Sequence, residues 1–302
     1  MNGPQATLQG YKEMDAASYD DAAAEFERIN ERFIAPLASA LLALARLTPA
    51  DQVLDVGTGT GPVALRAAPL LTAGGIVVGI DHSTGMLARA SAKARQSGLS
   101  DRVSFQLMDA ENLGFASCSF DKVLSLYALL HFPQPLRALR DMHRVLRPGG
   151  RVVIGVGCGP NLLSWNGIIR SAMRIADLVA AMRGRLLTAP DFLRRVMAEH
   201  GMVPESSRQP HRKLRIAGLM RQAGFTQIRQ QWQGHREELD AEEFWDVQVV
   251  YASAERIRLQ QASPNAVSAL KQDFLRRCER TRMDAGNLIY RHAAMFYTAT
   301  RR

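Results

Sequence analysis

At 302 residues, with 47% hydrophobic and 22% charged side chains, the chain has the composition of a globular protein, long for one domain and short for two. Three scattered cysteines, Cys118, Cys158 and Cys278, form no Cys-x-x-Cys pair, which argues against a disulfide framework or a structural zinc site and for a reducing cytoplasm. The formal charge of +9 is uneven: residues 1–150 carry 14 Lys and Arg against 15 Asp and Glu, so the basic excess belongs to the C-terminal half.

That half is read as a solvated, arginine-rich helical surface. Its aromatic residues are not interleaved with the cations as a single-strand platform requires, so a nucleic-acid partner stands only as an alternative. Residues 1–21 are polar, with Glu13, Asp15, Asp20 and Asp21, and lack the apolar core of a signal peptide. The apolar stretch 34–47 is too short to span a membrane and is interrupted by Pro36 and Arg46.

In chain order, residues 20–47 read as a helix, because Phe26, Ile29, Phe33, Leu37, Leu41 and Leu44 recur at three- and four-residue spacing. Thr48-Pro49 ends it. Strands follow at 52–56, 76–80, 103–107, 120–126 and 151–157, with helices at about 62–71, 85–96 and 133–146. This alternation predicts a doubly wound parallel α/β sheet covered on both faces. Beyond residue 157 the rhythm fails. The organisation expected is an N-terminal helical segment (1–50), a binding core (51–157), a helical lid insertion (158–211), a core continuation with a sixth strand (212–237), a second helical insertion (238–286) and a final strand (287–302).

The stretch that organises the core is Val53-Leu54-Asp55-Val56-Gly57-Thr58-Gly59-Thr60-Gly61-Pro62. It reads as a buried strand, a tight glycine turn and a helix start, the arrangement that lets a backbone close on a small polar ligand. No Gly-Lys-[Ser/Thr] follows, so phosphoryl transfer is disfavoured. A nicotinamide dinucleotide fits weakly: counting from Gly59, Ala64 takes the sixth place of the looser fingerprint. Asp55 opposes it, because a carboxylate facing the ligand repels pyrophosphate and suits an ammonium group. Asp81 stands 20 residues after Gly61, at the next strand end, where two ribose hydroxyls would be accepted. A ribose, a cationic amino-acid end and no phosphate together describe S-adenosylmethionine.

Four stretches are similar, in order and spacing, to class I S-adenosylmethionine-dependent methyltransferases. They are residues 53–61, Gly79-Ile80-Asp81-His82-Ser83-Thr84-Gly85-Met86-Leu87, Phe105-Gln106-Leu107-Met108-Asp109-Ala110-Glu111 and Arg144-Val145-Leu146-Arg147-Pro148-Gly149-Gly150. The spacing resembles the UbiE-like quinone-biosynthesis branch and its small-molecule relatives, over about residues 18–157 and more weakly 214–237 and 287–300. The resemblance implies a seven-stranded Rossmann-like sheet whose last strand is antiparallel. It also implies backbone contacts at Gly57, Thr58, Gly59 and Gly61, ribose at Asp81, and adenine at Met86, Asp109 and Ala110. His82 and Leu126 flank that site, Asp55 would hold the amino group, and Tyr19 lies where relatives close an N-terminal segment over the cofactor.

After strand four the chain reads Leu126-Tyr127-Ala128-Leu129-Leu130-His131-Phe132. It lacks the Asn/Asp-Pro-Pro-aromatic tetrad of base and amide nitrogen methylation, which leaves oxygen, carbon or sulfur on a small molecule. His131 is the general-base candidate, against a role in merely bonding the cofactor loop. Tyr127 is placed to face the sulfonium, against simple packing. His200, His211, His235 and His292 read as surface or packing histidines, and no set of residues has metal-ligand spacing. In the insertions, Trp165, Ile169 and Met173, with Phe244 and Trp245 opposite, are the candidates to line a pocket for a bulky hydrophobic acceptor. Arg170 and Arg174 would assist a peripheral membrane contact.

Overall fold

A computed structural model describes residues 4–157, 192–203, 215–285 and 288–302. Two compact units divide the chain. The first comprises Met1–Gly157, Leu214–Gln233 and Ala293–Arg302, and the second Cys158–Lys213 and Gly234–His292.

The helix expected over 20–47 is two helices. α1 (Pro4–Phe33) begins well before residue 20, and α2 (Ala35–Ala45) starts after a break at Ile34. Pro36 explains the break. It has no N–H to continue the hydrogen-bond ladder, and its ring clashes with the preceding turn, but it is tolerated at the start of a new helix. Leu37, Ala38 and Leu41 of α2 are fully buried.

The first unit is built on β1 (Gln52–Val56), β2 (Ile76–Asp81), β3 (Val103–Leu107), β4 (Phe120–Leu126) and β5 (Leu146–Gly157), which pair in parallel. The final strands are β6 (Thr226–Leu239) and β7 (Leu288–Thr300), giving one seven-stranded sheet of order β3-β2-β1-β4-β5-β7-β6. β7 runs antiparallel to β5, with Val153 opposite Thr298. β6 is longer than the sixth strand read from the sequence, and the chain passes between the two units within it and within β7. Helices α3 (Ala64–Ala67), α4 (Thr84–Gln96), α5 (Pro135–Val145) and α7 (Ile216–Gln222) belong to the same unit. Central strands read as nearly continuous apolar runs because both faces are covered. Leu54, Ile80, Leu124 and Ile154 are at most 1% exposed, and each such side chain contributes about 1.5–3 kcal/mol on burial.

β1 lies between β2 and β4, with Asp55 level with Gly79 on one side and Leu124 on the other. The chain leaves the sheet to opposite sides from β1 and β4, so their carboxyl ends open the crevice where ligands of such sheets bind.

In the second unit, α6 (Phe192–Glu199), α8 (Ala241–Tyr251), α9 (Ser253–Gln261) and α10 (Pro264–Ala285) are described. The single helical stretch expected from residue 241 onward is therefore three helices. Asp240 caps α8 in a reciprocal box with Glu243, and Pro264 starts α10. Phe274 is the hub of this unit, with ring centroids 4.9 Å from Phe192, 5.6 Å from Phe244 and 5.1 Å from Trp245. No helix among the described residues is long and apolar enough to cross a membrane.

Candidate active site

The turn after β1 needs its glycines for stated reasons. Gly57, Gly59 and Gly61 all have positive φ, at 71°, 54° and 83°. At Gly57 a Cβ would also collide with the Cβ of Ala128, so two backbone segments meet there that only glycine lets approach. The amides of Gly57 and Thr58 both donate to the Ile80 carbonyl at 2.9 Å, tying the loop to the end of β2.

Asp55 lies under this loop, 1% exposed. Its Oδ2 accepts a 2.7 Å hydrogen bond from the Thr58 hydroxyl. Oδ1 is buried without a hydrogen bond of sound geometry, although the nearby Ala64 amide favours its ionised form. Burial pushes the carboxyl up to about 7, the charge of Asp81 pushes it the same way, and the Thr58 and Ala64 donors only partly offset this. A buried, half-neutralised carboxylate with one open oxygen lacks a cation. Pyrophosphate would worsen its position, whereas an ammonium group would relieve it.

Asp81 closes the other side of the loop. Oδ2 accepts from the Gly59 amide at 2.8 Å and Oδ1 from the Ser83 amide at 3.0 Å. Burial raises its pKa, opposed by those amides, by the His82 amide and by the charge of His131. A carboxylate has about four lone-pair sites, so the three amides leave one for a ribose hydroxyl.

At the end of β3, Oδ1 of Asp109 accepts from the Glu111 amide at 2.9 Å, and Oδ2 from the Lys12 ammonium at 2.8 Å. Burial alone would push the Asp109 carboxyl up. Lys12 and the Glu111 amide more than offset this, with help from the charge of His82, and hold it below the usual carboxylate range. Met86, Ala110 and Leu126, read as cofactor contacts, are 3%, 7% and 9% exposed.

His131 sits in a short 3-10 turn, Leu129–His131, directly after β4. Its Nδ1 is 3.5 Å from Oδ2 of Asp15, and the Tyr19 hydroxyl is 3.3 Å from Nε2 and 3.5 Å from Nδ1. Tyr127, two residues beyond Ser125, takes φ +62°, a left-handed conformation that costs a non-glycine residue about 1–3 kcal/mol and gathers at functional sites. Its amide donates to Gly155 at 2.7 Å, and its ring stands beside Gly157, where a Cβ would lie 3.5 Å from Cε1.

The sequence reading missed how much of this rim is made by α1. Lys12 reaches Asp109 and Glu111, Asp15 and Tyr19 reach His131, and Glu27 pairs with Arg89. Oδ1 of Asp20 accepts from the Ser83 hydroxyl at 2.6 Å and the Gly85 amide at 2.7 Å, extending the N-cap of α4. The available signal was the spacing of Lys12, Asp15 and Tyr19 (i, i+3, i+7), which stacks them on one helical face.

The candidates in the second unit fare differently. Phe244 and Trp245, expected as walls of an acceptor pocket, are 1% and 7% exposed and pack in the aromatic cluster around Phe274. His200 pairs with Asp273 at 3.1 Å and His235 with Glu237 at 2.8 Å, so both are held by carboxylates. Trp165, Ile169, Met173, Arg170, Arg174, Cys158 and His211 lie outside the described residues. Among the described residues no group of three or more His, Cys, Asp or Glu side chains is placed to hold a metal ion.

A doubly wound sheet, a triple-glycine turn and carboxylates set for an ammonium and a ribose define a Rossmann-like site for a phosphate-free, cationic nucleoside. Comparison with known proteins agrees. The family model described as a methyltransferase domain matches residues 54–154. Aklanonic acid methyltransferase DauC of Streptomyces sp. (strain C5) is 32% identical over 47% of this chain and 64% of its own length. Nocamycin O-methyltransferase of Saccharothrix syringae is 30% identical over 70% of this chain and 72% of its own length. The YcgJ protein of Bacillus subtilis shares the fold at a TM-score of 0.53 and 19% identity, covering 88% of this chain and 97% of that one. The chain belongs to the class I S-adenosylmethionine-dependent methyltransferases. It spans 64% of the first of these relatives and under half the length of three further curated ones. S-adenosylmethionine is the cofactor, and the open Oδ1 of Asp55 beside the Gly57 cradle fits its amino-acid end.

Proposed function

We propose that the protein methylates an oxygen or carbon atom of a bulky hydrophobic small molecule, with His131 taking the acceptor's proton. The observation that carries the cofactor half is the buried Asp55 carboxylate with its open oxygen, next to Asp81 on the Gly59 amide. When bound, S-adenosylmethionine supplies a methyl carbon whose bond to sulfur breaks as the bond to the acceptor forms, the electron pair staying on sulfur.

The chain's own residues bind, orient and manage the proton. Gly57, Thr58, Gly59 and Gly61 bring backbone close to the amino-acid end, Asp55 holds the ammonium, and Asp81 accepts a ribose hydroxyl. Asp109, with Met86 and Ala110, faces the adenine, and His82 and Leu126 complete the surround. Tyr127 presents its ring to the sulfonium, where a π-face is attracted to positive charge. His131 follows β4 immediately, at the carboxyl end of the strand beside β1, and histidine is the side chain most often used to move such a proton.

The relatives named for aklanonic acid and nocamycin support a small-molecule acceptor. The acceptor-side residues of this reading are Trp165, Ile169 and Met173, with Arg170 and Arg174 available to an anionic membrane surface.

The test is label transfer from methyl-labelled S-adenosylmethionine to 2-naphthol, a 1,4-naphthoquinol and a short-chain ubiquinol. Label is expected on at least one of them, and His131→Ala is expected to lower that turnover by ~100-fold or more with cofactor affinity retained. Near-normal turnover in that variant removes His131 from the chemistry. Label entering RNA and none of the three phenols contradicts the small-molecule acceptor.

A further inference from the structure

One face of α1 contacts His131. Asp15 and Tyr19 stand one turn apart, four residues, on that face. Asp15 contributes Oδ2 at 3.5 Å from Nδ1, with a side chain only 12% exposed. Tyr19 contributes its hydroxyl at 3.3 Å from Nε2 and 3.5 Å from Nδ1, and the two rings meet edge to face with centroids 5.6 Å apart. Asp81 at the end of β2 also interacts electrostatically with His131.

Asp15 and Tyr19 are also bracketed by anchors. Lys12 lies one turn before Asp15 and is pinned to Asp109 and Glu111 at 2.8 and 2.6 Å. Asp20 follows Tyr19 and is pinned to Ser83 and Gly85 at the start of α4. The helix is thus held on both sides of the two residues that touch the imidazole. A surface carboxylate has no need of such fixation, whereas a group that sets the orientation of a ring does.

We infer that Asp15 is a positioning residue for His131: it accepts the Nδ1–H, holds the ring in that tautomer, and so leaves Nε2 as the basic nitrogen. This rests on the reading of His131 as the base. The proton balance is simple. Nε2 gains the proton the acceptor loses, Nδ1 keeps its own, and Asp15 stays ionised beside the imidazolium until the proton returns to solvent. The Tyr19 hydroxyl lies within 3.5 Å of both nitrogens, so α1 supplies contacts to the whole polar edge of the ring, and the base is complete only when two segments far apart in sequence have met.

The experiment uses the full chain loaded with S-adenosylhomocysteine and reads the tautomer of His131 by long-range nitrogen–proton NMR at a pH where the ring is neutral. The Nδ1–H tautomer is expected in the wild type, and a mixture or the Nε2–H form in Asp15→Ala and Asp15→Leu. Asp15→Glu is expected to restore part of the wild-type signature. This readout needs no acceptor, and the variants' cofactor affinity, expected to stay within about 3-fold, verifies that they fold. With a labelled acceptor, Asp15→Ala is expected to lower kcat by ~100-fold with little change in KM.

Two outcomes overturn the inference: an Nε2–H tautomer in the wild type, or a tautomer that Asp15→Ala leaves unchanged. Failure of the base reading looks different, because His131→Ala would then retain turnover. Loss of turnover in His131→Ala, with Asp15→Ala normal in both tautomer and kcat, removes Asp15 alone.

Discussion

The ammonium of Lys12 lies 2.8 Å from Oδ2 of Asp109, joining residues 97 apart in the chain at the point where β3 ends. The same ammonium is 2.6 Å from Glu111, whose side chain is 2% exposed and whose other oxygen accepts from the Gln134 amide at 2.6 Å. One lysine thus bridges two carboxylates that would otherwise repel each other.

Lys12→Met is expected to destabilise the first unit by about 2 kcal/mol, less than the 3–5 kcal/mol of a fully buried pair because Asp109 keeps some contact with solvent. The sign of the pH dependence follows from the shifts. Asp109 is depressed, so its contribution is present above the ordinary carboxylate range and lost as pH falls through its folded value. Burial lowers the Lys12 pKa, but Asp109 and Glu111 more than offset this and raise it, so its contribution is present through neutral pH and lost only in strong base. Melting curves from pH 3 to 7 should show the gap between wild type and variant closing at the acid end. A gap of constant size contradicts the pairing.

Asp55 carries the opposite sign. Its carboxyl is raised to about 7, so the native protein holds a proton that the unfolded chain gives up near pH 4, and stability declines as pH rises between those values. Asp55→Asn is expected to raise the melting temperature of the ligand-free protein at pH 8 while weakening S-adenosylmethionine by ~10-fold or more, the cost of losing one charge-assisted contact. Binding to the wild type at pH 6.5 should release a fraction of a proton, visible as a dependence of calorimetric enthalpy on buffer, and the variant should release none.

The glycine turn separates strain from collision. Gly59→Ala meets no atom within 4 Å and bears only its positive φ, so it is expected to lose about 1 kcal/mol and keep cofactor binding. Gly57→Ala bears the same strain and also drives a methyl into Ala128, so it is expected to lose more than ~2 kcal/mol and most cofactor affinity. Urea unfolding and calorimetry of the pair check this, and equal losses contradict the close approach at Gly57.

Phe274 tests the second unit. It is fully buried against Phe192, Phe244 and Trp245, and Phe274→Ala is expected to lower the stability of that unit by about 3–5 kcal/mol. Hydrogen exchange should show the loss in α6, α8 and α10. If Phe244 and Trp245 are core residues, Phe244→Leu lowers stability and leaves the acceptor KM unchanged. A change in KM without a change in stability restores the pocket wall.

What was legible in the sequence is what is local. The strand, the triple glycine and Asp55 lie within ten residues, and Asp81 follows at a spacing set by one helix and one strand, so ligand class followed from charge and reach. The sheet followed from the alternation of short apolar runs. For α1 the resemblance gave only Tyr19 and a segment closing over the cofactor, because the partners of its other residues, Asp109, Glu111, His131, Ser83 and Gly85, are 60 to more than 110 residues away and beyond a local reading. The break at Ile34 was in principle readable from Pro36, but the apolar period runs straight through it. An aromatic pair such as Phe244 and Trp245 looks the same on a helix whether it faces a ligand or Phe274.

The account turns on whether the two carboxylates flanking the glycine loop hold S-adenosylmethionine. Its most direct test is a calorimetric titration of S-adenosylmethionine, with NAD in parallel, into the wild type and Asp81→Ala. The account predicts saturable binding of S-adenosylmethionine and none of NAD, with affinity at least ~10-fold weaker once the ribose acceptor is removed. Binding of NAD instead, or binding of S-adenosylmethionine that Asp81→Ala leaves unchanged, would contradict it.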